Sequence, residues 1–409
     1  MREGWKTLRL GEICTIDKVK HDGAPLPYVG LEHVESDTGK YLGDLTPTEV
    51  KSATFRFSSD HVLYGRLRPY LNKVLLPDFD GHCSSEIFPL KPRDALDRRF
   101  LYYWVTQHSI VKQIDKTSTG ARMPRANVNQ VMEFQLSLPP MVEQKRIVAI
   151  LDEAFEGIDT VVANTEQNLA NARELLDSTS LKLFEAVGDR QRFTLHELLE
   201  LRWITGHLDG NHGSDYPRKS EFVSEGVPYI SANCIKSEAV DFSLAKYLSH
   251  DRAADLRKGV ARNRDVLFAH NATVGPVAML YTDLDKVVLS TSLTYYRCDL
   301  NRIFPEYLAN YMRTPFFKRQ YETVMAQSTR NQVPITKQRE FYHLIPSLDE
   351  QKAIAGNLDA LRGDVEQLTR TYRQKLTALA ELKQSLLQKV FSGELTAREA
   401  EAAVEEATA

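Results

Sequence analysis

A pattern of mainly apolar residues, spaced three or four positions apart, runs along two long stretches of the chain. Its positions are Ile147, Leu151, Ala154, Ile158, Val161, Thr165, Asn168, Ala172, Leu175 and Thr179, and then Ile354, Leu358, Leu361, Val365, Leu368, Tyr372, Lys375, Leu379, Leu382 and Leu386. Sustained spacing of this kind is typical of a coiled-coil seam, where polar insertions fix register and partner. We therefore predict one long helix in residues 141–190 and another in 346–395. Ordinary core helices are the alternative, but about 45 residues at about 1.5 Å each exceed the width of a small domain.

The two stretches belong to an internal repeat. Residues 138–152 read LPPMVEQKRIVAILD and residues 345–359 read IPSLDEQKAIAGNLD, so Glu350 follows Glu143 at an offset of 207 positions. The register continues without a gap as far as Phe184 and Phe391, which indicates a duplication. The helix starts are also marked, by two prolines before the first helix and by Ser347 with Glu350, a capping box, at the second.

The segments before the helices repeat more faintly. Four pairs of short motifs correspond: 10–13 with 195–198, 26–29 with 227–230, 61–65 with 265–269, and 100–103 with 307–310. The second and third pairs have the composition of short strands, and the fourth opens a helix. We predict two divergent copies of one mixed α+β domain, in residues 1–140 and 191–345, followed by a disordered Ala/Glu-rich tail in residues 396–409.

Charge is distributed unevenly among these segments. The net charge of the 409 residues is −3, but residues 1–140 carry 19 Lys+Arg against 17 Asp+Glu, and residues 191–345 carry 20 against 17. The excess acid lies in the two helical segments and the tail. Both predicted domains are therefore mildly basic, as a nucleic-acid-binding protein requires.

Several function classes find no support in the sequence. It contains no GxxxxGK[ST] phosphate loop, no Asn-Pro-Pro-Tyr-like methylation motif, and no histidine or cysteine spacing typical of a zinc site. The four separated cysteines predict free buried thiols, and the lack of an apolar run of roughly 20 residues predicts a cytoplasmic protein. A coiled-coil scaffold that binds no DNA and an enzyme with an unfamiliar site remain as alternatives.

Two polar loops in each copy are candidates for DNA contact, because Arg, Asn and small hydroxyl groups suit base edges and phosphates. The first loop contributes Arg66, Arg68, Tyr70, Asn72 and Lys73, and its counterpart contributes His270, Asn271 and Thr273. The second loop contributes Ser118, Thr119, Arg122, Arg125 and Asn127, and its counterpart contributes Ser328, Thr329, Arg330, Asn331 and Gln332. The alternatives are a solvated surface loop for the first and helix capping for the second.

The order of these segments resembles the specificity subunit of type I restriction-modification systems. The resemblance covers nearly the whole chain and is most specific at Pro139 to Lys145, at Pro346 to Lys352 and in residues 389–395, which read KVFSGEL. The first helix departs from this last motif, because residues 182–186 read KLFEA.

The resemblance implies a non-catalytic subunit whose two target-recognition domains each read half of a split site in double-stranded DNA. It implies that the helices pack antiparallel as a ruler for the spacer between the half-sites. The partners would be two methyltransferase subunits that use S-adenosylmethionine, and restriction subunits that use ATP and Mg²⁺, while this chain itself binds no cofactor or metal. Glu143, Gln144, Glu350 and Gln351 would be partner-docking residues, or simply the acidic first turn of each helix.

Overall fold

The computed structural model describes residues 4–188, 191–327 and 330–392, except for the side chain of Ser214. Domain 1 (residues 4–140) contains the strands β1 (Lys6–Arg9), β2 (Cys14–Ile16), β3 (Tyr28–Val29), β4 (Thr54–Phe57), β5 (Val62–Gly65), β6 (Val74–Leu75), β7 (Gly81–Ser84), β8 (Ile87–Pro92) and β9 (Gln135–Leu138). Its helices are α1 (Leu10–Ile13), α2 (Arg98–Thr106), α3 (His108–Lys116) and α4 (Val128–Met132), and the long helix α5 (Met141–Val187) follows.

Domain 2 (residues 191–345) contains the strands β10 (Arg192–Thr194), β11 (Ile204–Asp209), β12 (Phe222–Val223), β13 (Val227–Ile230), β14 (Ile235–Lys236), β15 (Ala239–Val240), β16 (Lys246–Leu248), β17 (Val260–Ala261), β18 (Val266–Asn271), β19 (Thr273–Met279), β20 (Val287–Leu289), β21 (Leu293–Cys298) and β22 (Tyr342–Leu344). Its helices are α6 (Leu195–Glu200), α7 (His250–Asp255), α8 (Pro305–Met312), α9 (Pro315–Ala326) and α10 (Ile335–Gln338), and the second long helix, α11 (Leu348–Ser392), follows.

The two domains share a topology, as the sequence repeat predicted. Domain 1 has sheets of order β2-β8-β5-β6 and β3-β7-β4, and domain 2 has larger sheets of order β11-β21-β18-β19-β15-β14 and β12-β16-β13-β20-β17. In each domain the first strand pairs antiparallel with the last, Lys6 opposite Leu138 and Arg192 opposite Leu344. This pairing closes each domain immediately before its long helix. The predicted mixed α+β class is confirmed.

The strands form where apolar and β-branched residues are concentrated. Every residue of β5 is buried, and so are the first five residues of β18. These two strands lie inside their sheets, between two neighbours each, and the loops that follow them are therefore rigidly anchored at one end.

The chain divides into two compact units, and each contains parts of both long helices. Of the described residues, 4–167 and 372–392 form the first unit, and those between 168 and 371 form the second. The first half of α5 and the second half of α11 therefore pack in the first unit together with domain 1. The remaining halves belong to the second unit with domain 2.

Within the first unit the two helix segments run antiparallel. Lys383 of α11 lies against Phe155 and Asp159 of α5. Eight residues further along α11, Phe391 packs against Phe100, with ring centroids 4.8 Å apart. Arg99 and Tyr103, which lie on either side of Phe100 in α2, both donate to Asp152. Asp152 precedes Phe155 on α5, so α11 runs towards the start of α5. The antiparallel packing expected of the helices is confirmed here.

The predicted seam is correct in large part. Ile147, Leu151, Ile158, Leu379 and Leu386 are buried at 6% exposure or less. The seam is wrong at Asn168, Leu175 and Leu368, which are exposed. A strict repeat of 3.5 residues drifts around a straight α-helix by about 20° per heptad, so a seam extended over many turns rotates away from the packed face.

All four cysteines are buried and free, as predicted. Burial raises the pKa of Cys14 and of Cys83 to about 12, which makes both thiols unreactive at neutral pH. Among the described residues, no helix is both long enough and apolar enough to cross a membrane.

Candidate nucleic-acid interface

The two candidate loops of domain 1 lie side by side. The backbone N–H of Arg68 donates to the carbonyl of Pro124 at 2.7 Å, and the N–H of Ala126 donates to the carbonyl of Arg66 at 2.9 Å. Between these bonds, Leu67 and Arg125 form an antiparallel bridge. Residues 65–68 and 123–126 are therefore one hydrogen-bonded surface, which we call the two-loop platform of domain 1.

Domain 2 has the same platform in residues 269–272 and 330–333. The N–H of Ala272 donates to the carbonyl of Asn331 at 3.0 Å, and the N–H of Val333 donates to the carbonyl of His270 at 2.8 Å. Asn271 and Gln332 form the bridge between them. Each of these bonds joins the positions equivalent to those of domain 1, so the backbone frame is duplicated bond for bond.

A left-handed residue lies at the same place in both platforms. Arg68 has φ 52° and Ala272 has φ 63°. Neither is glycine or asparagine, the residues that adopt this region most readily, so each is held there at a cost. The paired backbone bonds on either side hold the conformation and turn the chain at the tip of the platform.

Two arginines of the domain 1 platform converge on one carboxylate. Arg125 donates from Nε and Nη2 to both oxygens of Glu86 over 2.7–3.0 Å, and Arg66 lies 3.3 Å from Glu86 while stacking on Phe88. The hydrogen bonds from Arg125, followed by the charges of both arginines, hold the pKa of Glu86 below its usual range. About a third of each arginine side chain is exposed, although the Nε atom of Arg66 is buried.

Three further predicted residues of domain 1 have exposed side chains. They are Arg68, Tyr70 and Arg122, and Tyr70 is 52% exposed. An exposed aromatic ring beside arginines offers both stacking and phosphate contact. These three residues keep their candidate role.

Two predicted residues in the first loop turn inward instead. Asn72 is 2% exposed, and its amide donates to Asp37 and to the carbonyl of Thr106. Lys73 donates from Nζ to the carbonyl of Leu31 at 2.7 Å. Polar side chains that replace missing backbone partners in an irregular loop are structural, so this geometry argues against base contact by Asn72 and Lys73.

In the second loop, several residues form turn and cap structure. Asn127 accepts from the N–H groups of Asn129 and Gln130 and so caps α4. Thr119 exchanges two backbone hydrogen bonds with Arg125, and the Ser118 hydroxyl is buried. The alternative considered from the sequence, helix capping, thus describes Asn127 better than DNA contact does. The side chain of Thr119 is exposed and keeps its candidate role, whereas the buried Ser118 hydroxyl has no hydrogen-bond partner among the described residues.

The side chains of the domain 2 platform are neutral at the equivalent positions. His270, which corresponds to Arg66, is 1% exposed, and its Nδ1 donates to the carbonyl of Val333 at 2.9 Å. Burial lowers the pKa of His270, so the ring is uncharged at neutral pH. His270 is therefore unavailable for the base contact that the sequence suggested.

The remaining residues predicted in domain 2 lie at or near the surface. Asn331 donates from its amide to the carbonyl of Ala272, and Thr273 and Arg330 are exposed, while Asn271 and Gln332 are half-buried. Ser328 and Thr329 lie outside the described residues.

A buried polar network contacts the domain 2 platform through the backbone of Val333. The side-chain oxygen of Gln338 accepts from His207, Thr294 and Tyr296 at 3.0–3.1 Å, and its amide donates to the carbonyl of Val333. Sequence reasoning missed both this network and Glu86. Only the position of Glu86, next to the apolar run of β8, offered a signal.

The predicted docking residue Gln144 has a different role. It is fully buried, its side-chain oxygen accepts from the N–H of Asp97, and its amide donates to the carbonyls of Ala95 and Pro139. The side chain thus joins the first turn of α5 to the start of α2.

Gln351 repeats this arrangement at the offset of 207 residues. It is fully buried, accepts from the N–H of Phe304, and donates to the carbonyls of Arg302 and Pro346. Both glutamines therefore hold internal backbone groups together, and their complete burial argues against partner contact through these side chains.

The adjoining acids remain at the surface. Glu350 forms the predicted capping box, accepting from the hydroxyl of Ser347 at 2.6 Å and from its N–H at 3.0 Å. Glu143 is half-buried and lies 3.7 Å from Arg146. The structure is compatible with docking at either acid.

The comparison with known proteins identifies the family. The model of the type I restriction modification DNA specificity domain matches residues 2–169 and 192–378. The chain belongs to this family. The specificity subunit of the Escherichia coli enzyme EcoDI is 30% identical over 188 residues, which cover 44% of this chain and only 41% of that subunit. The MjaVIII specificity subunit of Methanocaldococcus jannaschii is 20% identical and covers 96% of this chain and 93% of that subunit.

Solved structures of type I systems share the fold. A chain from work on complex assembly and conformational transition of the type I R-M system matches with TM-score 0.76 and 22% identity, over 97% of this chain and 99% of that one. The HsdS subunit from Thermoanaerobacter tengcongensis matches with TM-score 0.59, also at 22% identity, over 97% and 98%. At this identity the likeness establishes the fold of a specificity subunit.

Proposed function

We propose that this chain is the DNA-recognition subunit of a type I restriction-modification complex, and that each domain reads one half of a split site. The observation that supports this most strongly is the duplicated two-loop platform. An identical backbone frame carries Arg66, Arg68 and Arg125 in domain 1 but His270, Ala272 and Gln332 in domain 2. A scaffold would have no need to vary the side chains of one frame in this way.

The chemistry of domain 1 suits a half-site that contains guanine. Arginine pairs through two N–H groups with the O6 and N7 atoms of guanine, whereas asparagine and glutamine pair with adenine. Asn331 and Gln332 of domain 2 suit adenine for the same reason. The domains would therefore recognise different sequences, and the site as a whole would be asymmetric.

The long helices would fix the spacer and bind the enzymatic partners. At about 1.5 Å per residue, the 47 residues of α5 give a helix of roughly 70 Å, which is ample for half-sites about one DNA turn apart. The internal repeat offers two equivalent surfaces for two methyltransferase subunits, with Glu143 and Glu350 as contact candidates. Catalysis would belong to those partners, with S-adenosylmethionine in the methyltransferase and ATP with Mg²⁺ in the restriction subunit.

Methylome sequencing tests the proposal. A host that expresses this chain together with its methyltransferase partner is compared with a host that expresses the methyltransferase alone. We expect a split motif with methylated adenines only when this chain is present. A stable complex of the two proteins that methylates no such motif would contradict the proposal and favour a scaffold role.

A further inference from the structure

One acidic residue lies where DNA should meet the domain 1 platform. Glu86 immediately precedes β8, and its backbone carbonyl accepts from the N–H of Arg66 at 2.9 Å. Its side chain is only 25% exposed and is held by two arginines. A carboxylate repels phosphate, so its presence at this surface needs an explanation beyond attraction to the backbone of DNA.

The equivalent position in domain 2 has no charge. There the carbonyl of Ser292 accepts from the N–H of His270 at 3.0 Å, the counterpart of the bond from Arg66 to Glu86. The Ser292 hydroxyl lies 2.6 Å from that of Ser290 and accepts from the N–H of Ala232. The carboxylate is therefore not required to form the platform, because domain 2 builds the same frame with a serine.

The bonds to Glu86 determine which edge of Arg125 stays available. The guanidinium group has five N–H donors in a planar fork. Nε and Nη2 each use one on Glu86, and Nη1 donates one to the carbonyl of Met123 at 3.2 Å. Two donors remain, one on Nη1 and one on Nη2, which is the number that guanine requires for paired recognition.

We propose that Glu86 is the specificity-positioning residue of domain 1, which holds Arg66 and Arg125 in fixed orientations so that they read bases instead of binding phosphates. This inference rests on the proposed function and adds a residue that determines base preference at one half-site. A guanidinium group that is fixed before binding loses less conformational entropy when it contacts the correct base. It is also kept from binding phosphates, which carry no sequence information.

The test uses the full chain assembled with its methyltransferase partner and duplexes selected from a randomised library. Glu86→Gln keeps the size of the side chain and removes its charge. We expect preference at the half-site of domain 1 to relax by about tenfold or more, the value of one paired base contact, with the second half-site unchanged. The slope of log affinity against log salt on non-specific DNA should steepen by about one as an arginine moves to phosphate.

Two further variants keep the result interpretable. Glu12→Gln removes another arginine-paired carboxylate of domain 1, since Glu12 binds Arg9 outside the platform, and should leave both half-sites unchanged. Arg125→Lys retains the charge but lacks the planar fork, so it should relax the same half-site even where Glu86→Gln fails to fold.

The outcomes separate this inference from the proposed function. Unchanged preference in both Glu86→Gln and Arg125→Lys would overturn the inference and leave the proposed function standing. Equal weakening of both half-sites would also overturn it, because that result indicates a general loss of structure. A wild-type complex that selects no split motif would refute the proposed function, and this inference with it.

Discussion

Domains 1 and 2 share one backbone frame but differ in the chemistry that fills it. The bonds that join the loops, Arg68 to Pro124 and Ala126 to Arg66, recur as Ala272 to Asn331 and Val333 to His270. Because these bonds use only main-chain atoms, the side chains at the platform can change without loss of the frame. This separation of frame from side chain is what a recognition domain needs in order to acquire new targets.

The cores beneath the two platforms also differ, but in the opposite sense, because domain 2 has the more polar residues at two equivalent buried positions. Domain 1 buries Val131 and Leu136 where domain 2 buries Gln338 and His343, at the offset of 207 residues. Domain 2 therefore carries polar side chains at these two buried positions, and Gln338 links His207, Thr294 and Tyr296 to the platform. Buried polar groups specify one arrangement but are costly when a partner is lost. We expect domain 2 to be the more sensitive of the two to pH.

The largest expected effect concerns the packing of each long helix against its domain. Phe184 of α5 is fully buried and packs against Tyr307, with ring centroids 5.3 Å apart. Its counterpart Phe391 of α11 packs against Phe100. Phe184→Ala should lower the free energy of unfolding of the second unit by about 3–5 kcal/mol. Phe391→Ala should lower that of the first unit by less, because Phe391 is only half-buried. Hydrogen exchange resolved by segment measures the stability of each unit. A substitution that destabilised both units equally would contradict the assignment of Phe184 to the second unit and Phe391 to the first.

Substitution of the two buried glutamines should give the next largest loss of stability. Gln144→Leu and Gln351→Leu each leave three backbone groups without their partner, which should cost roughly 2–4 kcal/mol of stability. Because the two sites are equivalent bond for bond, the two losses should agree within about 1 kcal/mol in denaturant unfolding. Glu143→Gln and Glu350→Gln are the matched controls and should cost much less. Widely different losses would contradict the equivalence of the two sites.

The pH dependence should separate the domains. Burial lowers the pKa of His207 to about 4 and that of His343 to about 3, both in domain 2. Their neutral forms are stabilised by folding, so the contribution is complete above pH about 6.5, the pKa of the unfolded state, and is lost as the pH falls towards 4 and then 3. Domain 2 should lose stability by a few kcal/mol in this window. His343→Leu, which copies Leu136 of domain 1, should flatten the profile; an unchanged profile would count against the account.

The smallest effect concerns the tip of the platform. Arg68→Ala makes the tip of domain 1 resemble that of domain 2, where Ala272 occupies the equivalent left-handed position. Binding should weaken by about tenfold at low salt, and the slope of log affinity against log salt should fall by about one if Arg68 contacts a phosphate. Fluorescence anisotropy with the assembled complex measures both values. Thr273→Ala serves as the control, with little expected change in the slope.

The sequence predicted the architecture better than the site. Periodicity and repetition are collective signals, and they correctly predicted two long helices and a repeated mixed α+β domain. The role of one polar side chain depends on which backbone groups lie beside it in the folded chain. Gln144 and Gln351 stand next to an acid in a polar helical turn, so they have the pattern of surface residues, and only the folded loop before α2 or α8 provides their partners.

The same limit applies to the candidate DNA contacts. Asn72 and His270 have the chemistry of base-reading residues, yet tertiary contacts turn both into structural ones. Nothing in the local sequence places Glu86 beside the candidate loops. Its role depends on the proximity of Arg125, which is 39 residues away in the sequence.

The most direct test of the central claim is a paired methylome experiment. Arg125→Lys and Asn331→Ala alter one platform each, and each variant is expressed with the methyltransferase partner beside the wild-type chain. The account predicts that the first variant relaxes only one half of the split motif and the second relaxes only the other half. Relaxation of the same half by both variants, or of neither half, would contradict the claim that the two platforms read DNA separately.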